Sequence, residues 1–413
     1  MAHQPSAAKQ ESVLLLGNYR PSLAVARALS EAGYRVIVTP EEFPPLRRSR
    51  FVKEIWRANV SSVDDPAYVE ALQVFLKSRP DIALIVPVSQ KLMTVLLPHR
   101  ERLHAPLLIS APEAVRTCID KTRLSQIAAE AGVPVEPFVL VSGAEALIEK
   151  ADALGYPCVA KSNEGREGAI KVMVFTHPEE VRHVAALWPD SLDDLILQRF
   201  APGLRYNRYY LAHKGRILRL LDVKILRTDR INGSGLGTEG VSIAPLAALD
   251  APSNSLIEAL DYTGIGCLQY LVDEPSGAIS FLEINPRFGG HYNFAHDCGF
   301  DMTQAFLDVM QDRRLEQWSA PFDYPRGRRY AWLHGDLEGL VTSLENRLVT
   351  GRQALPWLFQ AFAAGLRSDM DIFWRWDDPL PALALWSREL GPLTWRAGRQ
   401  AARISLGRLL RRR

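Results

Sequence analysis

Two stretches in which apolar and polar residues alternate, Cys267–Asp273 (CLQYLVD) and Ala278–Ile284 (AISFLEI), flank a turn-forming EPSG segment. They limit the fold more than any other part of the chain. Alternation of this kind reads as two strands of a hairpin, and Pro286 ends the second one. Side chains two apart in a strand point to one face. Glu283 and Asn285 therefore project together, with Arg287 just past the break. A carboxylate and an amide on one face suit Mg2+, which takes few protein ligands and fills the rest with water and phosphate. With a fixed cation nearby, the set fits phosphoryl transfer from a nucleotide. A buried edge strand with a polar end is the alternative. Gln269 joins this face if the loop has an odd number of residues. An even loop without a bulge puts it on the opposite face.

At 413 residues the chain has material for about two to four domains. Apolar residues at 47% and charged residues at 23% are ordinary for a soluble protein, and a net charge of +2 argues for neither nucleic acid nor membrane. Cys118, Cys158, Cys267 and Cys298 are far apart, with no C-x-x-C, so zinc and disulfide frameworks are not indicated. The expectation is a reduced, cytoplasmic protein. The N-terminus lacks a signal-peptide core, and no apolar run reaches the roughly 18 residues of a membrane span. G-x-S-x-G, H-E-x-x-H and the P-loop pattern are absent, and nothing resembles a nucleic-acid-binding module.

In chain order, Ser12–Leu16, a helix over Leu23–Ala32 and a strand over Arg35–Thr39 form a parallel βαβ unit. Asp81–Val88 and Pro106–Ser110 add further strands, making a small doubly wound α/β domain. Its strand ends supply a wall of a substrate cleft. A helix from Pro112 contains Asp120 and Lys121; by itself Lys121 reads as a surface lysine. Lys161 ends a strand and precedes SNEGREG, with Gly165 and Gly168. A point charge followed by glycines that let backbone N–H groups close on an anion is a phosphate-handling arrangement. A hairpin turns at Lys214-Gly215. The G-x-G-x-x-G at Gly235, Gly237 and Gly240 precedes a strand-like VSI rather than a helix, so it reads as a mobile loop. With Arg227 and Arg230 it is able to close over a charged ligand.

Over roughly residues 12–312 the chain resembles the ATP-grasp superfamily, in particular the carbamoyl-phosphate-synthetase-like carboxylate–amine ligases. The motifs, in order, are the N-terminal α/β domain, DK at Asp120-Lys121, VAK at Val159–Lys161 with its glycine loop, LQRFAPG, LQY and LEINPRFGG. The resemblance implies an α/β and α+β architecture: an ATP-grasp fold with an N-terminal doubly wound parallel domain and a C-terminal helical extension. Its divisions fall at 1–112 (N-terminal domain), 113–190 (small lobe), 191–315 (large lobe with the metal site) and 316–413 (extension). It further implies that Lys121 and Lys161 contact ATP phosphates and that the loop from Ser162 through Gly165 and Gly168 covers them. The backbone around Gln198, Arg199 and Phe200 holds adenine. Gln269, Glu283 and Asn285 bind Mg2+, with Mn2+ as the alternative, and Arg287 stabilises an acyl phosphate. The activity implied is ATP-dependent joining of a carboxylate to an amine or similar nucleophile, both small molecules. Two departures stand out. Arg199 and Arg205 occupy places where the family usually has carboxylates for the ribose hydroxyls, and a guanidinium only donates. Two other readings stay open: a carboxyphosphate- or carbamate-forming enzyme of this kind and, because of those two arginines, a nucleotide-binding module with altered or lost turnover.

Beyond Gln317 the resemblance fades. ALPWLFQAFAAGL is apolar but too short to span a bilayer, and FWRWDDPLPALALW clusters aromatics. Both read as packing against the catalytic core or against a second subunit in a homodimer. At the end, Arg396, Arg399 and Arg403 share one side of an expected basic helix. Such a helix is either a solvated terminus or a weak contact with an acidic partner or membrane surface, which would make the protein peripheral there.

Overall fold

The computed structural model describes residues 10–17, 20–39, 44–162, 172–186, 195–346, 348–388 and 391–392, with Pro44 and Ser162 described by their backbone. They form two compact units: residues 1–109, 227–241 and 287–413 in one, and residues 110–226 and 242–286 in the other.

The first unit begins with β1 (Ser12–Leu16), α1 (Ser22–Glu31), β2 (Arg35–Val38), β3 (Val52–Ile55), α2 (Pro66–Ser78), β4 (Ile82–Pro87) and α3 (Gln90–Leu96). The strands form a parallel sheet in the order β3-β2-β1-β4, as the βαβ spacing predicts. Both faces are covered, so Val13, Leu14, Leu15 and Leu16 are all buried. The strand expected at Pro106–Ser110 is reduced to a single parallel bridge between Leu107 and Ile85.

The second unit opens with α4 (Pro112–Ile119) and α5 (Lys121–Glu130). Asp120 is the N-cap of α5, accepting a bond from the Arg123 N–H at 3.0 Å. Then come β5 (Phe138–Val141), α6 (Ala144–Leu154), β6 (Cys158–Ser162), β7 (Val172–Phe175), α7 (Pro178–Ala186) and β8 (Leu195–Arg199). They make an antiparallel sheet in the order β5-β8-β6-β7, packed on α6 and α7. Next are β9 (Leu204–His213) and β10 (Arg216–Thr228), joined at Lys214 and Gly215, both with positive φ. Two left-handed residues are what a two-residue hairpin turn of matching twist requires.

Strand β11 (Gly237–Ile243) follows, then α8 (Asp250–Ala259), β12 (Gly264–Asp273) and β13 (Ala278–Asn285). β9 pairs antiparallel with both β10 and β12, and β12 with β13. One side of these strands carries Tyr206, Tyr210, Leu268, Tyr270 and Ile284 onto α4, α5 and α8. On that side Arg208, fully buried, donates to both oxygens of Asp222 (2.8 and 2.7 Å) and to Asp250 (2.8 Å).

The rest belongs to the first unit: α9 (Tyr292–Asp297), α10 (Met302–Val309), α11 (Leu315–Ser319), β14 (Arg329–Ala331), α12 (Leu333–Glu345), α13 (Gly351–Arg367) and β15 (Met370–Asp371). The expected helical extension thus also contains two short strands. β14 pairs with β11 and β15. Contacts tie this late segment to the start of the chain: Ser49 donates to Asp378 at 2.5 Å, and Arg27 meets His296 at 2.7 Å. Arg227 is committed to Asp336 by two bonds of 2.7 and 2.9 Å, so it is a structural anchor rather than part of a closing loop. The loop after it is closed at its neck, where Asp229 and Leu236 exchange bonds.

All four cysteines are buried free thiols. Among the described residues no helix is long and apolar enough to cross a membrane.

Candidate active site

The turn between β12 and β13 has four residues, 274–277, an even number. The condition set for Gln269 is therefore not met by the turn. A bulge at Leu282 supplies the missing residue, because Tyr270 pairs with Phe281 while Gln269 pairs with Glu283. Gln269 and Glu283 consequently oppose each other and share a face. Asn285 lies on it too, its amide donating to Glu283 at 2.9 Å. One strand further, Asn207 on β9 stands directly opposite Gln269. The result is a row of three oxygen-bearing side chains, Asn207, Gln269 and Glu283, across three strands. Asn207 is buried, and its Oδ1 has no hydrogen-bond partner. Sequence reasoning missed it, since the signal lies in a register set between strands about sixty residues apart.

Charges gather on this face. Arg205 precedes Asn207 by two residues and so points the same way. Burial pushes the Glu283 carboxyl up. Lys121, the bond from Asn285, Lys161 and Arg205 more than offset this and leave it below its ordinary value. Lys161, at the end of β6, donates to Gln198 Oε1 at 2.8 Å, and the Gln198 amide donates to the Glu136 carbonyl at 3.3 Å. Burial pushes the Lys161 ammonium down to about 8; Glu283 opposes the shift and Lys121 adds to it. Lys121 is the first helical residue of α5, half-buried, and not the isolated surface lysine that its neighbours in sequence suggest. Three cations around one carboxylate make a setting for a polyanion.

A divalent cation fits this face. Among the described residues no three His, Cys, Asp or Glu side chains are grouped to hold a metal. The face instead offers one carboxylate and amide oxygens, including the orphaned Oδ1 of Asn207. That is a sparse oxygen set of the kind Mg2+ accepts when water and phosphate complete its shell.

Other expected residues are placed less closely. Gln198 is buried, Arg199 exposed and Phe200 half-buried. The N–H groups of Arg199 and Phe200 donate to the Pro137 and Pro157 carbonyls (3.0 and 3.2 Å), so neither is available to a ligand. Arg287 is half-buried and falls in the first unit. Gly165, Gly168 and the side chain of Ser162 lie outside the described residues, as do Arg396, Arg399 and Arg403.

No family model matches the chain. Among curated proteins, phosphoribosylamine–glycine ligase of Synechocystis sp. is 26% identical over 187 residues, 41% of this chain and 44% of that protein. Formate-dependent phosphoribosylglycinamide formyltransferase of Xanthomonas oryzae pv. oryzae is 33% identical over 159 residues, 38% of this chain and 37% of that protein. The chain thus spans less than half the length of these relatives. Among solved structures, the ADP complex of an N5-carboxyaminoimidazole ribonucleotide synthetase matches with a TM-score of 0.61 and 18% identity, over 82% of this chain and 85% of that one.

Proposed function

We propose that this chain, which has the ATP-grasp fold, is an ATP-dependent ligase that activates a carboxylate as an acyl phosphate and joins it to an amine or similar nucleophile. The observation that carries this reading is the shared face of Gln269, Glu283 and Asn285, with the charges of Lys121, Lys161 and Arg205 acting on Glu283. The relatives' names, a glycine ligase and a formate-dependent transferase, support a small carboxylate as one substrate.

In the proposed reaction a carboxylate oxygen bonds to the γ-phosphorus of ATP and the bond to ADP breaks. The nucleophile then bonds to the acyl carbon, loses a proton, and phosphate leaves. Lys121 and Lys161 hold the phosphates, and Arg287 meets the charge that builds on the transferring group. Adenine lies along the backbone around Gln198, Arg199 and Phe200 without a bond from the Arg199 or Phe200 N–H, both of which are committed within the sheet. Glu283, Asn285 and Gln269 would hold Mg2+, which when bound neutralises phosphate oxygens. The orphaned Oδ1 of Asn207, opposite Gln269, would add a further oxygen to that set. In this reading Arg205 adds to the phosphate-facing charge, and the ribose hydroxyls find their acceptors elsewhere.

The test is an ADP-release screen that crosses carboxylates with amines in the presence of Mg2+. ADP that depends on both co-substrates supports the ligase; ATP hydrolysis indifferent to either overturns it. Glu283→Gln keeps the shape and removes the charge. Turnover is expected to fall by about a hundredfold or more, with an unchanged circular dichroism spectrum. Wild-type turnover in that variant would remove Glu283 from the site.

A further inference from the structure

Helix α13 is the apolar run ALPWLFQAFAAGL in folded form, and only part of it packs as its composition suggests. Thr350 and Gln353 form a capping box at its start. Trp357, Ala361 and Ala364 are buried on one side, with Trp357 bonded to Asp336 at 2.7 Å. The opposite side carries Leu355, Phe359, Phe362 and Leu366, which are 70, 76, 53 and 90% exposed. Their 4-3-4 spacing makes one continuous stripe. Of the fifteen large apolar residues exposed among the described residues, eight lie between Leu348 and Leu383, including Trp376 at 86%. Apolar surface concentrated in this way marks an interaction site.

Charge identifies the partner. Helix α13 contains no acidic residue, and Arg352 at its start is exposed. The described chain ends at residue 392, and residues 393–413 carry seven arginines with no acidic residue. A second copy on a two-fold axis would set one acid-free α13, with its exposed Arg352, against another. An anionic lipid surface takes both features, since aromatic and leucine side chains enter the headgroup boundary while arginines meet the headgroups. We propose that α13 docks this protein onto an anionic membrane surface through Leu355, Phe359, Phe362 and Leu366, with the arginines beyond residue 392 adding the electrostatic attraction. The proposal does not depend on the ligase reading.

The experiment is co-sedimentation of the full chain with vesicles of phosphatidylcholine alone, or of phosphatidylcholine mixed with phosphatidylglycerol. Binding is expected to the mixed vesicles, roughly tenfold or more weaker to the neutral ones, and weakened by salt. The double variant F359D/F362D is expected to lose about tenfold or more of that binding with an unchanged melting temperature, while Phe359→Leu retains it. Equal binding by the double variant overturns the proposal, as does the absence of binding to either vesicle. A wild-type dimer that F359D/F362D converts to monomer, without vesicle binding, assigns the stripe to a second copy. A lowered melting temperature in that variant, again without vesicle binding, assigns it to the chain's own residues 393–413.

Discussion

Lys161 shows how strongly the candidate site acts on a single residue. Burial, with Lys121 nearby, pushes the Lys161 ammonium down to about 8 against the opposing pull of Glu283. An anion settling against it favours the charged form and raises that value. Nucleotide affinity is therefore full below about 8 and falls as pH rises through 8, by up to about tenfold per unit, until the bound-state value is reached. Calorimetric titration of ATP from neutral to alkaline pH checks this, and Lys161→Met is expected to flatten the profile. The pair Glu283 and Asn285 was legible in the sequence because two-residue spacing is a local property. Asn207 was not, since its place opposite Gln269 depends on strand pairing across a long stretch of chain. Arg205 was legible as an oddity, but only the fold shows that its charge reaches Glu283.

At the scale of elements, β9 separates two kinds of polar chemistry. Asn207 faces the candidate site, and the adjacent Arg208 faces the helices, where it is sealed with Asp222. Replacing Arg208 by Met leaves the Asp222 carboxylate buried without its main partner. The expected loss is about 3–5 kcal/mol, measured by urea unfolding. The β12–β13 hairpin gives a sharper test. Deleting Leu282 removes the bulge yet keeps Phe281 opposite Tyr270 and Glu283 opposite Gln269, so Mg2+-dependent ATP binding is expected to survive by calorimetry. One glycine inserted within 274–277 should leave that binding intact, because the bulge lies on the far side of the paired strand from the turn. Parity in the sequence left two routes to this pairing, an odd loop or an even loop with a bulge, and the strand takes the second. The turn at Lys214-Gly215 was fully legible, because turn chemistry is written in adjacent residues.

For the whole molecule, ATP with Mg2+ is expected to raise the unfolding free energy by about 2.7 kcal/mol at a hundred times its dissociation constant. A thermal shift that requires both, and that Glu283→Gln loses, is the corresponding readout. The order of motifs made the fold legible over residues 12–312. The grouping into two units was not, because motifs follow the chain while packing does not. Residues 1–109 find their partners in residues 287–413, as the bonds from Ser49 to Asp378 and from Arg27 to His296 show. Synthesis separates the two segments in time. At ~5–20 residues per second, roughly 10–35 s pass between completion of the first and the start of the second. During that interval α1 and its neighbours wait with part of their surface uncovered. Slow translation or truncation near the C-terminus therefore threatens the N-terminal sheet, which is the part of the protein made first.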